Sequence, residues 1–337
     1  MQATCTRFLT PLLLAAAITG CATAKETTYG PQLQGFQYPY PLEQFKFSSQ
    51  GQALQMGYMD VKPKGTPNGR SIVLMHGKNF CGATWAGSIK ALSDAGYRVV
   101  VPDQIGFCTS SKPESYQYSF QQLAINTQQL VEKLGIKKAT LLGHSTGGML
   151  ATRYALMYPA QTEQLAMVNP VGLEDWKAMG VPYRTVDQWA QADSQLTYQS
   201  VRDYQQANYY LGRWEPAHDR WVDMLVGLHN GPGRKEVVRN SALIWDMIFT
   251  QPVYYEFKDL KMSTLLLIGT SDTIALNSDL ASPQVRAKIG NYAELGKHVA
   301  KLIPNATLVE FANRGHSPQL EDPDQFHTAL LQGLKAL

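Results

Sequence analysis

The sequence predicts an α/β protein: a mostly parallel, doubly wound sheet with a helical cap inserted over one edge. Three observations carry this. The apolar runs Ser71–Met75, Ala139–Leu142, Leu165–Val168 and Leu265–Ile268 read as strands covered on both faces, as a parallel sheet requires. Segments of helical spacing separate the first of these runs up to about residue 170. Residues 171–260 then break the rhythm; they read as mostly helical and hold Trp176, Trp189, Trp214, Trp221 and Trp245. The chain's 337 residues are enough for one sizeable core.

The elements follow in order. Residues 25–43 are rich in Pro, Gln and Tyr, so residues 21–43 are expected to be a tether. Gln44–Ser49 and Leu54–Val61 read as a hairpin around Gln50-Gly51. Strands are expected at Ser71–Met75 and Arg98–Pro102. Ser119–Leu134 reads as a helix, with Ser119 and Gln122 as a capping box and Gly135 as the stop. Strands resume at Ser263–Ile268 and Ala306–Phe311, and Glu321-Asp322-Pro323 opens a last helix. The core is expected at 44–170 and 261–337, with the cap at 171–260. The polar segment 277–291 reads as a rim of the site or as a surface excursion.

The chemistry is concentrated in Gly143-His144-Ser145-Thr146-Gly147-Gly148, between a strand and a helix. This is a G-x-S-x-G elbow in the context it requires. Glycines flank the serine because side chains there would meet neighbouring backbone. A serine needs a base, and the base needs an orienting acid. His316, in Asn313-Arg314-Gly315-His316-Ser317-Pro318, follows the last strand and is the expected base. Asp272 ends the strand before it, at a carboxyl edge where open α/β sheets build sites. Glu174 and Asp175, after the strand Leu165–Val168, are the rival acids. His76 is expected to tie loops together, and His144 to stand behind the site.

The set His76-Gly77, Asp103-Gln104-Ile105-Gly106-Phe107, Gly143–Gly148, Asp272 and Gly315-His316-Ser317-Pro318 resembles the α/β-hydrolase family. Its capped group includes esterases, epoxide hydrolases and haloalkane dehalogenases. The resemblance implies the chain order Ser, Asp, His, and so favours Asp272. It also implies an oxyanion hole from the backbone N–H of Thr146 and of Lys78, with Asn79 the second choice for the latter. Serine narrows the reaction. Dehalogenases and epoxide hydrolases attack an sp³ carbon with a carboxylate, whereas serine there would leave an inert ether. Hydrolysis of a small, fairly apolar carboxylic ester is therefore expected, without cofactor or metal. Lactonase, amidase, carbon–carbon hydrolase and peroxide-supported haloperoxidase activities remain alternatives on the same residues. So does a non-catalytic envelope lipoprotein using the scaffold as a binding module. A preference for apolar acyl groups is expected, with polar and charged ones disfavoured.

The amino terminus carries a different message. Arg7 precedes the apolar run Phe8–Ile18, too short to span a bilayer and similar to a signal-peptide core. It ends in Ile18-Thr19-Gly20-Cys21, which resembles a bacterial lipobox. Residues 1–20 are thus expected to be a signal peptide and Cys21 the lipidated first residue, in the bacterial envelope. Ala22-Thr23-Ala24 offers a competing site for ordinary secretion. Either route leads to an oxidising compartment. There Cys81 and Cys108, on loops after strands that neighbour each other in the resembled fold, are expected to form a disulfide. Relatives often carry a second glycine in the Asp103 loop where this chain has Cys108. The net charge of +3 comes with no basic run, so no nucleic-acid partner is expected.

Overall fold

The computed structural model describes residues 27–337. Residues 1–20, expected as a signal peptide, and the lipidation candidate Cys21 lie outside the described residues. Among the described residues, no helix is long and apolar enough to cross a membrane.

Eight strands form one sheet: β1 (Glu43–Ser49), β2 (Gln52–Val61), β3 (Ser71–Met75), β4 (Arg98–Pro102), β5 (Ala139–His144), β6 (Thr162–Val168), β7 (Thr264–Gly269) and β8 (Ala306–Phe311). Their order is β1-β2-β4-β3-β5-β6-β7-β8. β2 pairs antiparallel with β1 and β4; the remaining pairs are parallel. The β1–β2 hairpin turns at Gln50 and Gly51, with φ of 51° and 73°, as a two-residue turn of primed type demands.

Alternation along the central strands explains the apolar runs. Val73 and Met75, Leu141, Met167, Leu266 and Ile268 enter one core cluster. Ile72 and Leu74, Leu142, Ala166 and Val168, Leu265 and Leu267 enter the other. Successive side chains point to opposite faces, so a strand covered twice must be apolar at every position. One face is covered by α1 (Ala86–Asp94) and α11 (Pro323–Ala336). The other carries α2 (Phe120–Lys133), α3 (Thr146–Met157) and α9 (Tyr292–Leu302). Short helices α8 (Pro283–Arg286) and α10 (Pro318–Glu321) complete this part.

α2 shows where the sequence reading was half right. Ser119 Oγ accepts the Gln122 N–H at 3.0 Å, as expected. The Gln122 side chain does not reach back to the cap; it donates to Asn126 Oδ1 one turn on. Gly135 closes the helix with φ of 70°.

The inserted segment forms α4 (Val186–Asp193), α5 (Tyr198–Asn208), α6 (Asp219–His229) and α7 (Arg234–Thr250). Its termini are well specified: Thr185 and Thr197 each make a reciprocal capping box. Residues 27–42, expected as a tether, lie packed on the molecule. Tyr29 N–H donates to Gly227 O at 2.9 Å, Phe36 packs on Trp221, and the Tyr38 hydroxyl donates to Asp103. This arm therefore touches both the cap and the loop after β4.

Two glycines separate the costs of space and of conformation. A Cβ on Gly147 would lie inside contact distance of the Met75 and His76 carbonyl oxygens. At Gly135 there is open space but a left-handed backbone. Gly147→Ala is expected to lose roughly 2–3 kcal/mol of stability, and Gly135→Ala about 1 kcal/mol. Urea unfolding midpoints at unchanged slope would measure both.

Candidate active site

The site is built at the carboxyl ends of β5, β7 and β8. β5 runs directly into α3 with only Ser145 between them. Ser145 has φ of 57° and ψ of −122°, a conformation that costs of order 1–3 kcal/mol. Its surroundings hold it there. Ser145 N–H donates to Val168 O at 3.1 Å, and Ser145 O accepts from Gly148 at 2.9 Å and Val171 at 3.3 Å. A Cβ on Gly143 would collide with the Gly147 carbonyl, so the turn can close only between two glycines.

The structure brings three expected residues together. His316 Nε2 lies 2.9 Å from Ser145 Oγ, and His316 Nδ1 lies 2.7 Å from Asp272 Oδ2. All three are buried. With the carboxylate accepting at Nδ1, that nitrogen carries the proton and Nε2 is free to receive one from serine. The rival acids lie elsewhere. Glu174 accepts from Trp176 Nε1 and Gly290 N–H, and Asp175 accepts from the Lys177 and Ala178 amides and the Tyr255 hydroxyl. Burial raises the Glu174 pKa, partly offset by those two donors.

Neighbours that the sequence reading missed set the geometry. Asn169, just past β6 with φ of 38°, donates to Asp272 Oδ2 at 2.8 Å and accepts the Gly269 N–H at 2.8 Å. Ile274 N–H donates to Asp272 Oδ1 at 2.9 Å. Asp272 is thus held by two donors besides the imidazole. The Tyr209 ring packs on His316 with centroids 5.1 Å apart, and its hydroxyl accepts from Asn79 Nδ2 at 2.9 Å. An Asn at a strand's carboxyl end was the one visible signal for Asn169. Nothing local marked Tyr209.

His76 and His144 are structural. His76 Nε2 accepts the Gln104 N–H at 3.1 Å, so its Nδ1 donates to Gly77 O at 2.9 Å and ties two loops. His144 Nε2 lies 2.7 Å from the His316 carbonyl oxygen. Burial holds the His144 pKa well below its ordinary value, so it stays neutral and donates to that oxygen.

Lys78 and Thr146 both line the cavity above Ser145. Among the described residues, neither backbone N–H has a protein acceptor; the Asn79 N–H is likewise unclaimed. The cavity measures 480 Å³ and runs under the cap. Trp176, Trp189, Trp245 and Ile248 wall it, and Ile274–Asp279 form its rim, so the start of segment 277–291 belongs to the site. Trp214 and Trp221 do not reach it. One wall is not apolar. Lys78 Nζ donates to Ser241 Oγ at 2.7 Å, and Ser241 donates to Asp193. The ammonium sits over Trp245, 4.3 Å from the ring centroid. Burial lowers the Lys78 pKa, and nearby Asp193 opposes the shift.

The expected disulfide is corrected by the structure. Cys81 and Cys108 are free, buried thiols. Cys108 has φ of 37°, and its Sγ lies 3.6 Å from Phe80 O; it is near Cys81 but not joined to it. Burial pushes the Cys108 thiol up, so it stays protonated. With Asp103 the two sulfurs form a compact group, their potential ligand atoms within 4.8 Å of one another. The chemistry does not suit a cation. Asp103 already accepts from the Tyr38 and Thr109 hydroxyls and from the Gly82 and Thr109 amides.

Comparison with known proteins fits this geometry. The chain belongs to the α/β hydrolase fold family, whose family model matches residues 70–323, and it is a hydrolase of that family. Among solved structures it is similar to a "probable hydrolytic enzyme" of Pseudomonas aeruginosa PAO1. The two share 57% identity over 92% of this chain and 99% of that one, with a TM-score of 0.91. It is 26% identical to the non-heme chloroperoxidase CPO-A1 of Kitasatospora aureofaciens, over 79% of this chain and 92% of that protein. It is 34% identical to the bifunctional epoxide hydrolase 2 of Sus scrofa, over 35% of this chain. That match spans 22% of the relative's length, well under half.

The hydrogen-bond chain from Asn169 through Asp272 to His316 generates a graded expectation for turnover. Asp272→Asn should lower kcat about 10⁴-fold, because amide donors disrupt the imidazole tautomer. Asn169→Ala should lower it roughly ten- to hundredfold, by loosening a charged acceptor. Asp175→Asn should leave it unchanged. Steady-state kinetics on the three variants would check the ranking, and a crippled Asp175→Asn would move the acid to the earlier strand.

Proposed function

We propose that the protein is a serine hydrolase acting on carboxylic esters through an acyl-enzyme. The observation that carries this reading is the hydrogen-bonded line Ser145–His316–Asp272, with Ser145 and His316 lining a cavity under the cap. His316 Nε2 takes the Ser145 proton as Oγ attacks the substrate carbonyl carbon. Asp272 keeps the imidazole in the required tautomer and stabilises the imidazolium. The Thr146 and Lys78 amides receive the oxyanion, each contributing roughly 10²–10³-fold. His316 then passes its proton to the leaving alcohol. In the second half it takes a proton from water as the water oxygen attacks the acyl carbon, then returns that proton to Ser145 Oγ as the acyl–Oγ bond breaks and the acid leaves.

The nucleophile separates this chain from its epoxide-hydrolase relative. A carboxylate attached to an sp³ carbon gives an ester that water can open at the enzyme's own carbonyl. Ser145 in the same reaction would give an ether with no such carbon. Acyl substrates therefore fit and epoxides do not. The tryptophan walls favour apolar groups, at roughly 0.8 kcal/mol per methylene buried. Removing the Ser145 hydroxyl tests the reading directly. Ser145→Ala should unfold at the wild-type temperature, yet lose both p-nitrophenyl ester hydrolysis and labelling by a fluorophosphonate probe. Esterase activity persisting near the wild-type rate would sink the mechanism.

We further infer that Cys21 is lipidated and holds the enzyme at the bacterial envelope. The support is the run Phe8–Ile18 followed by Ile18-Thr19-Gly20-Cys21. Full-length protein expressed in a bacterium should partition into detergent, and Cys21→Ser should move it to the aqueous phase. An unmodified mature start at Lys25 would instead support cleavage after Ala22-Thr23-Ala24.

A further inference from the structure

Lys78 borders a cavity whose exposed lining is mostly apolar, and its ammonium lies over Trp245, one of the wall residues. Lys78 is 9% exposed, and it borders the cavity beside Ser145, Trp189, Asp193 and Trp245. One of its three N–H donors goes to Ser241 Oγ, and the Trp245 ring covers one side of it. Among the described residues no other protein acceptor meets it. A buried ammonium is costly unless its donors are used. A position that needed only a wall would be better filled by leucine or methionine.

The surrounding charges narrow what Lys78 can receive. Asp193 reaches it through Ser241, so this pair is already balanced. Arg184, at the same cavity, is paired with Asp279. His229, behind Lys78, is held by burial at about 4 and adds no charge. The wall is therefore near neutral. A carboxylate entering it would bring an uncompensated charge out of water. A carbonyl oxygen would complete the ammonium's hydrogen bonding without that cost.

We propose that Lys78 Nζ is a polar subsite that receives a neutral oxygen acceptor of the substrate, a carbonyl carried some bonds away from the scissile ester. The proposal rests on the acyl-transfer reading of Ser145. It gives one residue two tasks: the Lys78 amide faces the oxyanion, and its side chain faces a second oxygen of the same molecule. Substrates bearing two spaced oxygen functions, such as oxo-acyl esters, are then preferred over plain alkanoates. It also revises the sequence-based expectation that the pocket would reward apolar acyl groups alone.

The test compares p-nitrophenyl hexanoate with its 4-oxo and 5-oxo derivatives and with the adipate monoester, on the purified full chain. Wild type is expected to prefer at least one oxo ester over hexanoate about tenfold in kcat/KM, the scale of one hydrogen bond to a charged group. Lys78→Met should bring that ratio close to one. Because Lys78→Met leaves Asp193 without its counter-charge, Lys78→Met/Asp193→Asn is made beside it, and the ratio should collapse in that variant too. The proposal is overturned if wild type shows no oxo preference, or if the preference survives in both variants. It is also overturned if the adipate monoester is preferred to both oxo esters. Failure of the underlying reading looks different: hexanoate itself is not cleaved and the fluorophosphonate leaves Ser145 unlabelled.

Discussion

The left-handed turn at Ser145 is the constraint on which the site depends. β5 must stop, reverse its backbone sense within one residue and start α3. That is feasible only where no side chain intrudes at Gly143 or Gly147. The strain is retained because the neighbours leave no alternative. The Ser145 amide is bonded to β6, and its carbonyl to the first turn of α3 and to Val171. Relaxing the turn would break these bonds and withdraw Oγ from His316 Nε2. The conformational cost, a few kcal/mol at most, is borne by a sheet whose central strands are buried on both faces. A rigid sheet is what allows one residue to be held in a conformation it would not adopt alone.

What was legible in the sequence was local or followed chain order. The Gln50-Gly51 turn, the Ser119 cap, the elbow glycines and the strand-end positions of Asp272 and His316 each follow from a few adjacent residues. What was illegible depends on residues far apart in the chain meeting in space. Asn169 and Asp272 meet across β6 and β7. Lys78, Asp193 and Ser241 come from the loop after β3, from α4 and from α7. No spacing rule could have joined them. The cysteine pair shows the opposite error. The two loops are neighbours, as the resembled fold implies, but bringing two thiols near each other does not by itself join them. Here the two sulfurs lie within 4.8 Å of each other, beside Asp103, and remain unjoined, with Cys108 at a left-handed position.

The cap is tied to the core more by polar and aromatic contacts than a purely apolar lid would be. Arg184 lies over Trp189, Trp189 stacks on Trp245, and Lys78 lies over Trp245. This stack runs from the cavity rim through α4 and α7 to the loop beside Ser145. Cation–π contacts strengthen when water is excluded, so each ring both covers a charge and is held by one. The same rings form the wall, which couples the shape of the pocket to the position of the Lys78 loop.

The amino-terminal arm extends this logic to the opposite side of the cap. Tyr29 is bonded to α6, Arg220 donates to Gln37 O at 3.1 Å, and Tyr38 reaches Asp103. Asp103 in turn accepts the Gly82 amide at 2.6 Å, in the same loop region as Lys78. A buried carboxylate with four protein donors is a fixed point: removing any donor leaves a buried acceptor less well satisfied. The arm therefore does more than join the fold to whatever precedes residue 27. It closes a circuit from cap to arm to Asp103 to the loop after β3, while the Lys78–Ser241–Asp193 line closes a second circuit through the cap's other helices. Held from both sides, that loop keeps the Lys78 and Asn79 amides beside the cavity without a protein acceptor, as the proposed oxyanion hole requires.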